Sequence, residues 1–118
     1  MIQFIFLFRI DPEKQRALQA SPKEAQERMQ SWLAWMRELE AKGAIANPGQ
    51  PLDQAGVVVR GQKRAVTDGP FIEAKDLVAG FVVVEAGDLA HAAELAKGCP
   101  ILDGDGTVEV RPVRRMDM

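Results

Sequence analysis

An α+β domain, with helices laid on one face of a mainly antiparallel sheet, is predicted by three features of the chain. Two runs, residues 2–10 and 77–87, are apolar and strand-like; two amphipathic stretches carry clear helix start and stop signals; and shorter strand-like runs with turn residues fall between and after them. A chain of 118 residues can bury one real core and is too short for two domains of ordinary size, so residues 1–118 are read as a single domain.

The elements follow in order. Ile2, Phe4, Phe6 and Phe8 alternate with Gln3, Ile5, Leu7 and Arg9, the period of a strand, and both sets are largely apolar. No basic residue precedes this run and no small-residue cleavage site follows it, so it reads as a strand and not as a secretory leader. DPEKQRALQA is a connector with room for a helical turn. At SPKE, Ser21 is placed to cap a helix, Pro22 suits its first position and Glu24 can close a capping box. Ala25, Met29, Trp32, Leu33, Met36 and Leu39 then recur at three- and four-residue spacing as far as Gly43. This predicts a helix of about 20 residues and roughly 30 Å. Trp32 and Trp35 fall at the middle and edge of its apolar stripe and read first as core residues, with pocket lining as the alternative.

AIANPGQPLDQ, residues 44–54, reads as a turn-rich connector because of its two prolines. AGVVVR and KRAVTD flank Gly61-Gln62 at a spacing that suits a hairpin. LVAGFVVVEAG, residues 77–87, is the most strand-like run of the chain. Asp88 is placed to cap a second helix whose face is Leu89, Ala92, Ala93 and Ala96, ended by Gly98 and Pro100. After the turn DGDG, TVEVRPV forms the last strand. The order strand, helix, hairpin, strand, helix, strand has the form of a ferredoxin-like sandwich.

Two helices can cover only one face of such a sheet. Ile5, Leu7, Val82 and Val84 alternate with Phe4, Phe6, Phe8, Phe81 and Val83, so the other face is apolar as well. An exposed patch of that size usually marks an interface, and a symmetric homodimer, sheet against sheet, is the simplest way to cover it.

Composition narrows the partners. With 15 Lys and Arg against 17 Asp and Glu, the net charge of -2 provides no overall basic field for nucleic acid or an anionic membrane, and neither is expected as a partner. The single cysteine, Cys99, excludes an internal disulfide and a cysteine-based metal cluster, which suits a reducing cytoplasm. There is no phosphate-binding glycine loop, zinc spacing or nucleophile elbow, and DGDG lacks the distal glutamate of a calcium loop; no cofactor or metal is predicted. His91, the only histidine, falls on the solvent side of the second helix, and Cys99 at a helix end reads as a buried, inert thiol.

The segment VTDGPFIEAKD, residues 66–76, is the one place where the pattern allows chemistry. Asp-Gly-Pro is what a sharp turn would use, with Phe71 pinning the loop. Yet Asp68, Glu73 and Asp76 are carboxylates close in sequence, with Lys75 between and Arg60 and Arg111 on other strands, a composition that could hold a small ligand or move a proton.

VTDGPFIEAKD, followed by GFVVVEAGDLAHAAELAKGCP and TVEVRPV, resembles the YCII-related family, in particular its DGPF branch, named for the tetrapeptide at Asp68 to Phe71. The resemblance extends over most of the chain, including WLAWMREL and the VVVR strand. It implies ferredoxin-like subunits forming a dimeric α/β barrel. It also implies a family mostly without an assigned reaction, some of whose members are encoded near extracytoplasmic-function sigma factors. Family positions map to Asp68, Gly69, Pro70, Phe71, Glu73 and Lys75, with Arg60, Glu109 and Arg111 in the matching strands. Ala74 and Asp76 stand where members commonly carry threonine and glutamate, and His91 matches no family histidine.

Two functional expectations result. One is a dimeric protein that binds an unknown small molecule, or an enzyme, with its cleft near the DGPF loop; Asp68 and Glu73 would be the acid/base residues, and Arg60, Phe71, Lys75 and Arg111 the binding residues. The alternative is a non-enzymatic dimeric module that binds a protein partner, linked to sigma-factor regulation.

Overall fold

The computed structural model of the chain describes residues 1–18, 21–69 and 76–116. Strand β1 (Ile2–Ile10) leads into a short helix α1 (Pro12–Leu18) and a long helix α2 (Pro22–Ala41). Strands β2 (Ile45–Pro51), β3 (Gly56–Arg60), β4 (Ala65–Gly69) and β5 (Leu77–Ala86) follow, then helix α3 (Leu89–Ala96), a 3-10 turn over Pro100–Asp103 and strand β6 (Thr107–Pro112). The main sheet has the order β2-β5-β1-β6, with every neighbouring pair antiparallel. This α+β arrangement is consistent with a ferredoxin-like sandwich, and β3 and β4 form a separate two-stranded hairpin.

Helix boundaries follow the local signals. The Ser21 hydroxyl accepts from the Glu24 N–H at 3.1 Å, which satisfies one of the donors that a helix start leaves without a partner. Asp88 does the same for α3, accepting from the His91 N–H at 2.8 Å. The connector after β1 contains a full helix and not only a turn. α1 buries no side chain and is tied down by polar bonds: Gln54 Nε2 donates to the Pro12 carbonyl and to Gln15, and Lys14 pairs with Asp105 at 2.7 Å.

The segment 44–54, expected as a connector, contains β2. Its prolines are tolerated because β2 is an edge strand whose pairing with β5 is interrupted twice. Gly49 makes this possible: its φ is +70°, and a Cβ there would sit 1.6 Å from the Phe81 carbonyl oxygen.

Cross-strand register assigns the two sheet faces. Phe4, Phe6 and Phe8 pair with Val84, Val82 and Gly80, and all six are buried. With Trp35 and Leu39 from α2 and Ala92, Leu95 and Ala96 from α3, five of them form the core, so both long helices lie on one face. Ile5 and Leu7 instead pair with Val83 and Phe81, and these four are half-buried on the other face. Val82 and Val84 thus share a face with the phenylalanines of β1, and Phe81 and Val83 do not. On α3 the inner positions are Ala92, Leu95 and Ala96, whereas Leu89, expected on the apolar face, is exposed.

The hairpin stands apart. Its Val57, Val59 and Val66 are 64%, 61% and 64% exposed, an apolar strip on a two-stranded unit that is marginal by itself. The molecule is thin, 49 × 41 × 18 Å, with a radius of gyration of 15.9 Å. A compact chain of this length would have about 13–14 Å. No helix among the described residues is long and apolar enough to cross a membrane.

Candidate functional site

The apolar stripe of α2 divides in two. Its C-terminal half, Trp35 and Leu39, enters the core, with Met36 packed against it. Its N-terminal half lies beside a cleft of about 520 Å³, to which Ala25, Arg28, Met29, Trp32 and Leu33 all contribute. These positions follow the i, i+3, i+4, i+7, i+8 pattern of one helix face. Met29 and Leu33 are 58% and 43% exposed, a large apolar surface for a helix that sequence periodicity places wholly against the sheet.

The sheet contributes Phe8 and Ile10 from β1 and Ala79, Gly80 and Phe81 from β5. A bulge shapes this end of the sheet: Phe8 pairs with Gly80 and Arg9 with Val78, so Ala79 is the extra residue on β5. Gly80 allows the close approach of β2 here, since a Cβ would lie in tight contact, 3.0 Å from the Gln50 carbonyl oxygen and 3.3 Å from Pro51 Cα. Gln15 and Leu18 of α1, Pro48, Gln50 and Pro51 of β2, and Pro100 with Ile101 complete the lining. Trp32 packs edge-on against Phe8 at 4.8 Å between ring centres and against Trp35 at 5.3 Å, so its indole is held in place where it borders the cleft. Trp32 is both core and lining.

A second, polar group lies on the other face of the sheet. Arg9 Nε donates to Glu109 at 2.8 Å and its Nη1 is 3.7 Å from Asp76; Arg111 Nε is 3.8 Å from the second Glu109 oxygen. Arg111 and Asp76 are therefore joined through Arg9 and Glu109, beside Leu7 and Ile5. Sequence reading named Arg111 and Asp76 and passed over Arg9, whose signal is a cation in an otherwise apolar strand.

The remaining expected site residues are placed as follows. Asp68 is exposed on β4, opposite Val57, and Arg60 is exposed on β3, opposite Ala65. Neither of them lines the cleft, nor does Arg111. Phe71, Glu73 and Lys75 lie outside the described residues. Asp76 is the next described residue, and Leu77 after it pairs with Ile10 of the cleft. His91 is exposed and its Nδ1 accepts from the Gly87 N–H at 3.1 Å, a local role at the start of α3. Among the described residues no group of three or more His, Cys, Asp or Glu side chains could hold a metal ion.

Cys99 is buried, and burial pushes its thiol up from 9.0 to about 12. The neutral thiol is favoured in the folded protein, so its contribution to stability is complete below 9.0 and is lost as pH rises towards about 12. A disulfide reagent at pH 8 is expected to label Cys99 only as the protein unfolds; stoichiometric labelling of the folded protein within seconds would contradict the inert assignment.

Residues 3–117 match the YCII-related domain, which is nearly the whole chain. The chain belongs to the YCII-related domain family. No curated protein matches it. The YCII-related domain described here thus joins an apolar cleft on its helical side to an ion-pair group on its open sheet face.

Proposed function

We propose that this YCII-related domain is a homodimeric protein that binds a small, largely apolar molecule in the cleft beside α2. The observation that carries this reading is the cleft itself. A volume of about 520 Å³ lined by Trp32, Phe8, Met29, Leu33 and Ile101, with few polar groups, is of the size and character that ligand sites share. A well-packed domain would close such a space with its own stripe residues. In this reading the binding residues are those of the cleft, and Asp68, Arg60 and Arg111 act elsewhere.

The dimer is supported by the half-buried Ile5, Leu7, Phe81 and Val83, by the valine strip of the hairpin and by the thinness of the molecule. Two sheets meeting face to face would cover the first of these, in a dimeric α/β barrel. The hairpin strip favours the alternative of a protein partner only if the second copy leaves it uncovered.

Native mass spectrometry of protein purified from the cells that make it tests both parts. The expected result is a species of twice the 13.0 kDa chain mass carrying a small added mass. Ala25→Trp, which places an indole in the cleft from the exposed start of α2, is expected to lose the added mass and keep the dimer. An adduct retained in full by Ala25→Trp would place the ligand elsewhere.

A further inference from the structure

We infer that the cleft selects a small amphipathic carboxylate, a flat apolar body bearing one anionic group, and that Arg28 is the residue that recognises the charge. This rests on the binding reading above and adds the class of ligand. Arg28 occupies the apolar face of α2: Trp32 lies one turn beyond it, and the buried Trp35 and Leu39 lie seven and eleven residues along the same face. Solvated arginines belong on the opposite face.

Arg28 is half-buried, and it has no hydrogen bond or ion pair among the described residues. Arg9, Arg16, Arg64 and Arg111 do have them, with Glu109, Gln54, the Gln62 carbonyl and Glu109, and Arg37 and Arg114, which also have none among these residues, are exposed to water, whereas Arg28 is only partly so. Glu24, one turn before Arg28, forms no ion pair with it. A guanidinium at the edge of an apolar cleft has N–H groups that no protein acceptor takes, and an incoming carboxylate would meet two of them in one plane.

Arg28 is also the only ionisable side chain among the described lining residues; the other polar ones, Gln15 and Gln50, are neutral. One positive charge suits one negative charge. A small inorganic anion would leave the aromatic and aliphatic lining unused and most of its own oxygens without donors. A ring system that reaches Trp32, Phe8 and Met29 while its carboxylate meets Arg28 uses both parts of the site.

The test compares two probes of nearly equal shape, 2-naphthoate, which is ionised at neutral pH, and the uncharged 2-naphthamide. Each is titrated into the full chain at fixed ionic strength and followed by calorimetry and by tryptophan fluorescence, since Trp32 lines the cleft. The expected result is that naphthoate binds about tenfold more tightly than the amide, or better. Arg28→Gln should bring naphthoate to about the level of the amide and weaken the amide far less, while Arg28→Lys keeps part of the preference; circular dichroism verifies that both variants are folded. Equal binding of the two probes by the unaltered protein would overturn the carboxylate assignment and leave the cleft as a binding site. A preference that survives Arg28→Gln would overturn the role of Arg28. Failure of both probes to bind would overturn this inference together with the binding reading beneath it.

Discussion

Trp35→Ala should cost about 3–5 kcal/mol of unfolding free energy, a large share of the total for a domain of this size. Trp35 is 4% exposed and sits against Phe6, Phe8 and Trp32. Its Nε1–H donates to the Leu95 carbonyl at 3.2 Å, one of the last carbonyls of α3, which have no acceptor role within the helix itself. The same indole fills the space that a Cβ on Gly98 would need, 2.9 Å from Cδ1, so α2 and the end of α3 are fitted to each other through this one side chain. Truncation opens a cavity and leaves a buried carbonyl unpaired. Trp35→Phe should lose less, about 1–2 kcal/mol, because most of the ring packing stays and the lost hydrogen bond dominates. Urea titrations followed by far-ultraviolet circular dichroism measure both. A loss below about 1 kcal/mol for Trp35→Ala would mean that the two helices are not joined in this way.

Leu7→Asp is expected to convert the proposed homodimer into a folded monomer. Leu7 lies on the open sheet face between Phe81 and Glu109, its cross-strand neighbours, and is already half-buried in one subunit. The folded monomer loses little from a charge at a position that water reaches. A symmetric face-to-face dimer would bury two new carboxylates, one from each subunit, each opposite Glu109, which already engages the neighbouring Arg9 and Arg111. The penalty is several kcal/mol, a rise of more than about a hundredfold in the dissociation constant. Sedimentation equilibrium of both proteins reads this directly. A variant that stays dimeric would move the interface away from this face, and the hairpin valines would be the next surface to alter.

How much of this could be read without coordinates depends on how local each signal is. β1, β5, the hairpin and the two long helices announce themselves because Ser21, Asp88, Gly61 and the phenylalanine alternation act within a few residues. β2 did not, because two prolines in the eleven residues 44–54 outweigh a pattern whose pairing is supplied by β5. The assignment of Val82 and Val84 to the phenylalanine face requires the register of two strands at once, which neither strand contains. The cleft was hidden for a related reason. From Ala25 to Leu39 the stripe looks continuous, and only the packing of the fold separates the half that is buried from the half that is not. Arg28 was the available clue, since a guanidinium inside an apolar stripe conflicts with a helix that packs along its whole length. The ion-pair group around Arg9 likewise needed β1 and β6 side by side. Of the residues first expected to form a site, Phe71, Glu73 and Lys75 lie outside the described residues.

The prolines of β2 have a consequence for how copies of this protein can meet. The outer strand of any sheet is a template on which further strands can be laid, and growth along that direction has no natural end. Pro48 and Pro51 in one outer strand and Pro112 in the other each lack the backbone N–H that such templating uses. Sideways growth is thereby discouraged at both borders, while the broad surface of Ile5, Leu7, Phe81 and Val83 stays available. An assembly that uses that surface is complete at two copies, so the same chain can be adhesive and still not polymerise.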